Sequence, residues 1–510
     1  VDERANTQQG FDMGSMNLID KIVAYRDPEK GLARMAARKK LNANYEALTP
    51  KTGKRPPREK KLAKELAKTS QLPLAQQARW FEENYPIVST ALDEVVKNVI
   101  GADGLIVQPQ PKLKDGTVAT DFAKQIQRVY ESSSRTWCMD GRTSRPDSEQ
   151  LICRGIVRDG EMFSRIYAFD GHDYLGDVPF GIEPFECDHI PADLYDKKNN
   201  IVNGFKLGEY NRTKGYYFVP DLTVFTQKPL FVEVQNVLHT RWQTRIGGLR
   251  GISKLAPALL SIHNLKEYED AVRLGRLVAA RIVLVHKKKG GNYVPGQDGG
   301  EGSEDEYDEP LSFEYGNVLE ANVDDEFETL ESAKGAESAD VYMQHQQRSV
   351  TGTIGANNSA VTGIYNKSYS AQRQEMIDRW AGYIILRALM VRQHVRPAYE
   401  GWLNAATLSK TLVPPKDLDW STLYDATFTG PVMPWIDPYK EASSIKMLKE
   451  IGMLPLTLAL AQRGLDVSSI LEMYKQEKDE MERLELTELL SMVADETTNK
   501  TDSKDGKKDE

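Results

Sequence analysis

Five side chains able to do chemistry fall together in one short stretch, "EPFECDH": Glu183, Glu186, Cys187, Asp188 and His189. A thiol, an imidazole and carboxylates are the donors of a transition-metal site, or of a thiol nucleophile with its base. If the stretch is a strand, Glu186 and Asp188 share one face and Cys187 and His189 the other. Ligands must surround an ion, and neighbours on one strand do not converge enough to do so. The stretch is therefore read as structural. The acidic run "EDEYDE" over 304–309 lacks the glycine and terminal glutamate of a calcium loop and is read as a solvated loop. There is no GxxxxGK[ST], HExxH or GxSxG, and no GxGxxG after a strand; the seven histidines are scattered. No catalytic residue, cofactor or metal ligand is assigned, which leaves binding, scaffolding or a mechanical role.

The more unusual chemistry is physical. In "GANNSAVTGIYNKSYSAQRQEMIDRW", small and polar residues (Gly355, Ala356, Asn357, Asn358, Ser359, Gly363, Lys367) stand directly before a long amphipathic stretch. Ser368–Arg396 has no proline and only Gly382, and Pro397 is expected to end it, giving a rod of roughly 43 Å. Met376, Trp380, Ile384, Val391 and Val395 lie near i, i+4 spacing and are expected to bury one face of that rod. A slack loop in front of a stiff rod is the arrangement the elements have to explain.

At 510 residues the chain is too long for one core, and three or more packed units are expected. Hydrophobic content is 40% and mean hydropathy −0.52, and no apolar run reaches the roughly 18 residues of a membrane span. No signal peptide opens the chain, which is expected to stay where it is made, with Val1 reflecting processing or trimming. Three cysteines without CxxC spacing (Cys138, Cys153, Cys187) fit a reducing compartment. The net charge of −9 hides two opposite blocks: residues 21–68 hold 15 Lys/Arg against 5 Asp/Glu, and residues 301–340 hold 15 Asp/Glu against Lys334 alone. Each block reads as a solvated segment, and the two together favour a charge-sorted assembly.

Along the chain, residues 1–75 read as a basic arm with short helices around Pro56-Pro57. Leu74–Ile100 reads as helices broken near Pro86 and stopped at Gly101. "ICRGIVRDGEMFSRIYAF" and "GYYFVPDLTVFTQ" are expected as strands. A helix of about 35 residues follows Arg250, then a Gly-rich acidic insertion, then a polar helix over 326–350. Gly464 and Asp466 read as a helix stop and the next N-cap in a helical C-terminal unit, and the last fifteen or so residues as disordered.

Several stretches, in order, resemble the portal proteins of tailed bacteriophages, of the lambda type. "ARWFEENYPIVSTALDEVVKNVIGADG" is similar to the family's arginine-rich helix and the region after it. "VRDGEMFSRIY" is similar to its "dGE.F.r" strand at Asp159, Gly160, Glu161, Phe163 and Arg165. Gly204, Tyr210, Gly215 and Tyr217 fit a family hairpin. "HTRWQTRIGGLRGISKLAPAL" fits at His239, Arg245, Arg250, Gly251, Ser253, Leu255, Ala256 and Pro257. Tyr369, Ser370, Ala371 and Arg373 resemble the "NYSSaR" block. Arg396-Pro397, Trp402, Trp435, Asp437-Pro438 and Lys440 fit later blocks. The resemblance spans about residues 75–465; the loop "TIGANNSAVTGIYNK" departs from the family's usual sequence there.

The resemblance implies an α+β portal fold with a mixed α/β wing, a helical stem, a small clip, a long tunnel helix and an all-helical crown. Its parts would be a basic arm (1–75), wing (76–250), wing/stem helix (251–285), clip (286–325), returning stem helix (326–353), tunnel loop and long wing helix (354–402), crown (403–493) and disordered tail (494–510). It implies a homo-oligomeric ring, a dodecamer, at one capsid vertex of the virion, assembled in the host bacterial cytoplasm. Double-stranded DNA would pass through the channel without sequence specificity. Large terminase, the major capsid protein and a head-completion or adapter protein would be partners, and no membrane is involved. The tunnel loop would be Gly355, Ala356, Asn357, Asn358, Ser359, Gly363 and Lys367, with Asn357 and Asn358 able to bond phosphates. Tyr369, Arg373, Met376, Trp380 and Ile384 would anchor it. Two other readings stand beside this one: a nucleic-acid-processing enzyme with a basic arm, which needs a convergent catalytic site, and a structural shell or head–tail adapter.

Overall fold

The structure, a computed structural model, describes residues 63–169, 173–224, 227–281, 285–288, 325–328, 336–365, 368–434, 438–455, 459–460 and 467–483. Its residues divide into two compact units, Ser261–Ser349 and the chain on either side of it. The basic block up to residue 62, the acidic block over 301–324, Asn366, Lys367, Trp435, Asp437, Gly464, Asp466 and the tail 494–510 lie outside the described residues.

In the larger unit, α1 (Ala63–Asn84) and α2 (Pro86–Val99) part at Tyr85, and Pro86 takes the first position of α2, where its missing N–H leaves no bond unmade. α1 begins inside the stretch expected as an arm over 1–75: Ala67, Leu74 and Ala75 are buried, so that part belongs to the folded body. β1 (Ile106–Pro109) and α3 (Thr120–Ser133) follow. The "ICRGIVR" stretch, expected as a strand, is the end of α4 (Arg145–Arg158). Ser144 and Asp147 form a capping box at its start, and Ile152, Cys153, Ile156 and Val157 recur at helical spacing. Only after Asp159-Gly160 does the chain extend, as β2 (Glu161–Ala168).

β2 lies between β3 (Phe180–Phe185) and β8 (Val237–Arg241) in an antiparallel sheet, with Phe163 opposite both Phe185 and His239. A second antiparallel sheet runs β4 (Ile201–Val202), β5 (Phe205–Leu207), β6 (Thr213–Phe218) and β7 (Leu230–Glu233). The expected long strand through "GYYFVPDLTVFTQ" stops at Phe218, ahead of Pro220. Phe163, Phe205, Tyr216, Phe218, Val232 and Val237 form one buried cluster.

The smaller unit holds most of α5 (Leu259–Arg281), β9 (Val285–Lys288), β10 (Asp325–Glu328) and most of α6 (Ala336–Ile354). α5 is shorter than expected because the chain over 251–253 is irregular and residues 254–258, around Pro257, form turns. Of the helix expected over 326–350, residues 325–328 instead pair antiparallel with β9, and α6 is described from Ala336. The rings of Tyr268 and Tyr342 meet at 4.7 Å, and Arg276 and Asp340 approach to 3.8 Å, joining α5 to α6.

Back in the larger unit come α7 (Asn358–Thr362) and α8 (Tyr369–Met390). A π-turn (Val391–Val395) then leads into α9 (Arg396–Leu408). The helix was expected to end at Pro397 and instead runs on to Leu408. The π-turn widens the spiral just before the proline, which then sits in the first turn of α9, where its missing N–H costs little. β11 (Ala426–Thr429) pairs with β1, Ile106 opposite Thr429, so the 403–493 stretch is not all-helical. α10 (Pro438–Glu450) and α11 (Val467–Arg483) are the last described helices. The architecture is mixed α+β.

Candidate functional site

Two constructions stand out from the residues singled out above. The first is a buried charge node. The Glu161 carboxylate, fully buried at the start of β2, accepts from Gly251 N–H at 2.8 Å, from His239 Nε2 at 2.9 Å, and from Arg250 Nε. Burial alone would raise this carboxyl; Arg250, His239 and the Gly251 N–H outweigh it and hold it below its ordinary range. His239 is pulled down by burial, against the opposing pull of Glu161. Arg250 spends other donors on Ile190 O (2.8 Å), Cys187 O (3.0 Å) and Gln71 Oε1 (3.3 Å), so one side chain joins α1, the β3–β4 connection and β2. Gly160, at φ +94°, has no room for a side chain: a Cβ there would sit 2.2 Å from the Ile252 carbonyl carbon. The family-like residues Asp159, Gly160, Glu161, His239, Arg250 and Gly251 thus converge, although more than seventy residues separate the two groups.

The "EPFECDH" stretch is absorbed into an adjoining cluster. β3 stops at Phe185 and Cys187–His189 is a 3₁₀ turn, so strict alternation does not apply. Arg79 of α1 donates to Asp159 (2.8 Å) and Asp188 (2.6 Å) and lies 3.4 Å from Glu186, which Arg158 also meets at 2.7 Å. Glu183 accepts from Tyr167 Oη at 2.6 Å, and His189 Nδ1 meets Val219 O at 2.7 Å. Burial, with Asp159 and Asp188 beside it, pushes the Cys187 thiol well above its ordinary value, the opposite of a nucleophile. Among the described residues no group of three or more His, Cys, Asp or Glu is placed to hold a metal ion.

The second construction is the loop. It is not slack. Gly355, at φ +92°, lets the chain leave α6, with its own N–H and that of Ala356 both bonded to Thr351 O. A Cβ on Gly355 would meet Lys254 Nζ at 2.7 Å. Burial, with Arg379 nearby, lowers the Lys254 ammonium, which lies over the Trp242 ring. Ala356 is buried, Asn357 caps α7 by accepting from Ser359 N–H, and Gly363 in the left-handed region ends it. Asn358 Oδ1 accepts from Thr351 Oγ1 at 3.1 Å. Ser359, also buried, donates its hydroxyl to Glu375 of α8 at 2.9 Å. α7 packs on α2, and Arg387 of α8 reaches Asn98 O and Val99 O at the C-terminal end of α2. Among the described residues of the loop, Gly363, Ile364 and Tyr365 are exposed.

The expected anchoring residues are placed unevenly. Tyr369 and Ile384 are exposed, while Arg373, Met376 and Trp380 are partly buried. The buried side of α8 is Tyr383, Leu386, Leu389 and Met390. Sequence reasoning missed Arg79, Glu375 and Arg387 as individual residues. It also missed α7, although Asn357 and Gly363 are an N-cap and a C-terminal stop with five residues between them and carried the signal.

A body whose charged motifs are spent on internal contacts, and which presents a latched loop ahead of two joined helices, defines a structural protein of mixed α+β build. The chain belongs to the lambda family of phage portal proteins: a family model described as "Phage portal protein, lambda family" matches residues 50–387. That family is a structural, non-enzymatic component of the phage head. No curated protein matches the chain. Among solved structures it is similar to a chain of the "Neck of native GTA particle computed with C12 symmetry", at 10% identity and TM-score 0.48, over 78% of this chain and 93% of that one. It is also similar to a chain of the "Virion of native gene transfer agent (GTA) particle", at 10% identity and TM-score 0.42 over the same shares.

Proposed function

We propose that this chain is the subunit of a closed dodecameric ring at one vertex of the capsid, through which double-stranded DNA is packaged and ejected. In this reading the ring sits within the major capsid protein shell, docks large terminase during packaging and takes a head-completion or adapter protein afterwards. The observation that carries it is the family match over residues 50–387, which includes the Glu161–Arg250 node and runs through the loop into α8. Residues 76–250 are then the wing, 251–285 and 326–353 the stem, 286–325 the clip, and 403–493 the crown. The β9–β10 ladder, which closes the base of residues 289–324, suits an inserted clip.

Residues 355–367 are assigned to the channel wall, of which 355–365 are among the described residues. A loop held from behind by Glu375 and presenting, among its described residues, Gly363, Ile364 and Tyr365 outward suits passage of DNA without base recognition. Twelve copies at −9 each would make a strongly negative ring, which favours sliding over tight phosphate pairing. Negative-stain images and light scattering of the purified chain test the reading. Closed rings without nucleotide or DNA hydrolysis are expected; a stable monomer at high concentration would overturn it.

A further inference from the structure

Helix α8 is apolar on two sides, and its own chain covers one of them. Tyr383, Leu386, Leu389 and Met390 are buried. Elsewhere around the helix, Ile377, Ala381, Ile384, Ile385 and Ala388 recur at i, i+4, i+7, i+8 and i+11, a second continuous stripe. Its isoleucines are 42%, 50% and 59% exposed. Single exposed apolar residues are ordinary on a protein surface, but a helix apolar on both sides belongs inside a larger body.

We infer that this outer stripe of α8 is the surface on which a second copy of the chain seats; the inference rests on the ring reading above. The chemistry of the stripe disfavours nucleic acid as its occupant. Phosphate contacts need several Lys or Arg, whereas Ser370 and Gln374 precede the stripe with a partly buried Arg373 at its edge, Asp378 flanks Ile377, and Arg392 stands beyond the other end. Its size argues for a repeated contact. Three half-exposed isoleucines with the two alanines amount to about 300 Å² of apolar surface, comparable to the largest patch on a typical monomer, and such patches are often functional. A stable pair of proteins needs roughly 800 Å² on each partner. A contact of this size therefore holds best as part of a larger joint repeated around a closed ring, where every subunit meets two neighbours. Exposed Asp378 and Arg392 bound the stripe with opposite charges, which fixes the direction in which another copy can lie on it.

The test is the full-length chain carrying Ile384→Asp and Ile385→Asp together, compared with the unaltered chain by sedimentation and negative stain. The ring fraction is expected to fall at least tenfold at a concentration where the unaltered chain is all ring, with the circular dichroism of the subunit unchanged. Rings formed as well as by the unaltered chain would overturn the inference and leave the ring reading standing. If the double variant does not fold, hydroxyl-radical footprinting of the unaltered chain decides. Ile377, Ile384 and Ile385 should be protected in rings and reactive in dissociated subunits, and equal reactivity in both overturns the assignment. If the unaltered chain forms no rings under any condition, the ring reading itself fails and this surface goes with it.

Discussion

Ser359 donates its hydroxyl and its backbone N–H to the two oxygens of the Glu375 carboxylate, at 2.9 and 3.3 Å. The serine sits in the single-turn helix α7 and the glutamate in the second turn of α8, so one carboxylate ties the loop to the helix behind it. A run of small residues with little apolar area to bury becomes a fixed object through this contact and the Asn357 cap.

Glu375→Ala should therefore loosen the loop without unfolding the body. Bonds to a charged partner contribute about 1.5–3 kcal/mol when buried, and less at a partly exposed site such as this. A loss of about 1 kcal/mol locally would raise amide exchange over Ser359–Gly363 roughly fivefold. The melting temperature should move by no more than about 2 °C. Unchanged exchange over α7 would show that the cap and its packing on α2 hold the loop without Glu375.

The Glu161–Arg250 pair behaves differently, because neither side chain reaches solvent. Glu161→Gln leaves a buried guanidinium without its counter-charge and should cost about 3–5 kcal/mol. Replacing both, Glu161→Gln with Arg250→Met, should recover part of that loss. Urea unfolding measures each; a single-variant cost below about 1 kcal/mol would mean that the node is better solvated than its burial implies.

Stability should fall with acid, and His394 supplies a defined share. It is buried in the π-turn, and burial lowers its pKa to about 4. Above pH 6.5 the ring is neutral folded or unfolded, so it contributes no pH dependence. Between pH 6.5 and 4 the unfolded chain binds the proton first, and stability drops by about 3 kcal/mol before levelling off. Glu161, held below its ordinary range, acts in the same direction at lower pH. His394→Leu should flatten the slope between pH 6.5 and 4 in denaturant titrations at fixed temperature. An unchanged slope would assign it to other groups.

The rod was legible in the sequence, but its buried side was not. Met376, Trp380 and Ile384 are spaced by four, and each step of four turns 40° past the starting face, so the count walks round the helix to the exposed Ile384. The buried residues alternate steps of three and four, from Tyr383 through Leu386 to Met390. The charge node shows the same division. Asp159-Gly160-Glu161 and Arg250-Gly251 could each be picked out, but their meeting depends on the β2–β8 register, which places Glu161 opposite Arg241 and carries the chain back to the node. Strand-like composition misled at "ICRGIVR", where β-branched residues lie at helical spacing behind a capping box.

Two tryptophans separate these cases. Trp380 is partly buried and packs edge-on to Tyr383 at 5.9 Å, whereas Trp402 in α9 is fully buried among Tyr130 and Tyr399. Trp402→Ala should cost about 3–5 kcal/mol, and Trp380→Ala about 1–2 kcal/mol. Equal costs in thermal unfolding would show that Trp380 is more deeply buried in solution than in the single chain.

The loop's role is best tested at its tip. Deleting Asn357–Ala360 would at first sight remove only small side chains, but Asn357 caps α7, Ser359 is clamped to Glu375, and α7 packs on α2. That deletion should disturb the body as well as the loop, and a failure to assemble would say nothing about DNA. Ile364 and Tyr365 are different: they are 39% and 63% exposed and follow the helix stop at Gly363. If residues 355–367 line the channel, these are the described side chains presented to passing DNA. Ile364→Ser with Tyr365→Ser should leave stability within about 0.5 kcal/mol, as surface changes do. Rings and empty capsid precursors should form normally, while DNA packaged or retained per particle falls. Loss of ring assembly in this variant, with the body's stability unchanged, would make the tip an interface between subunits and remove it from the channel wall.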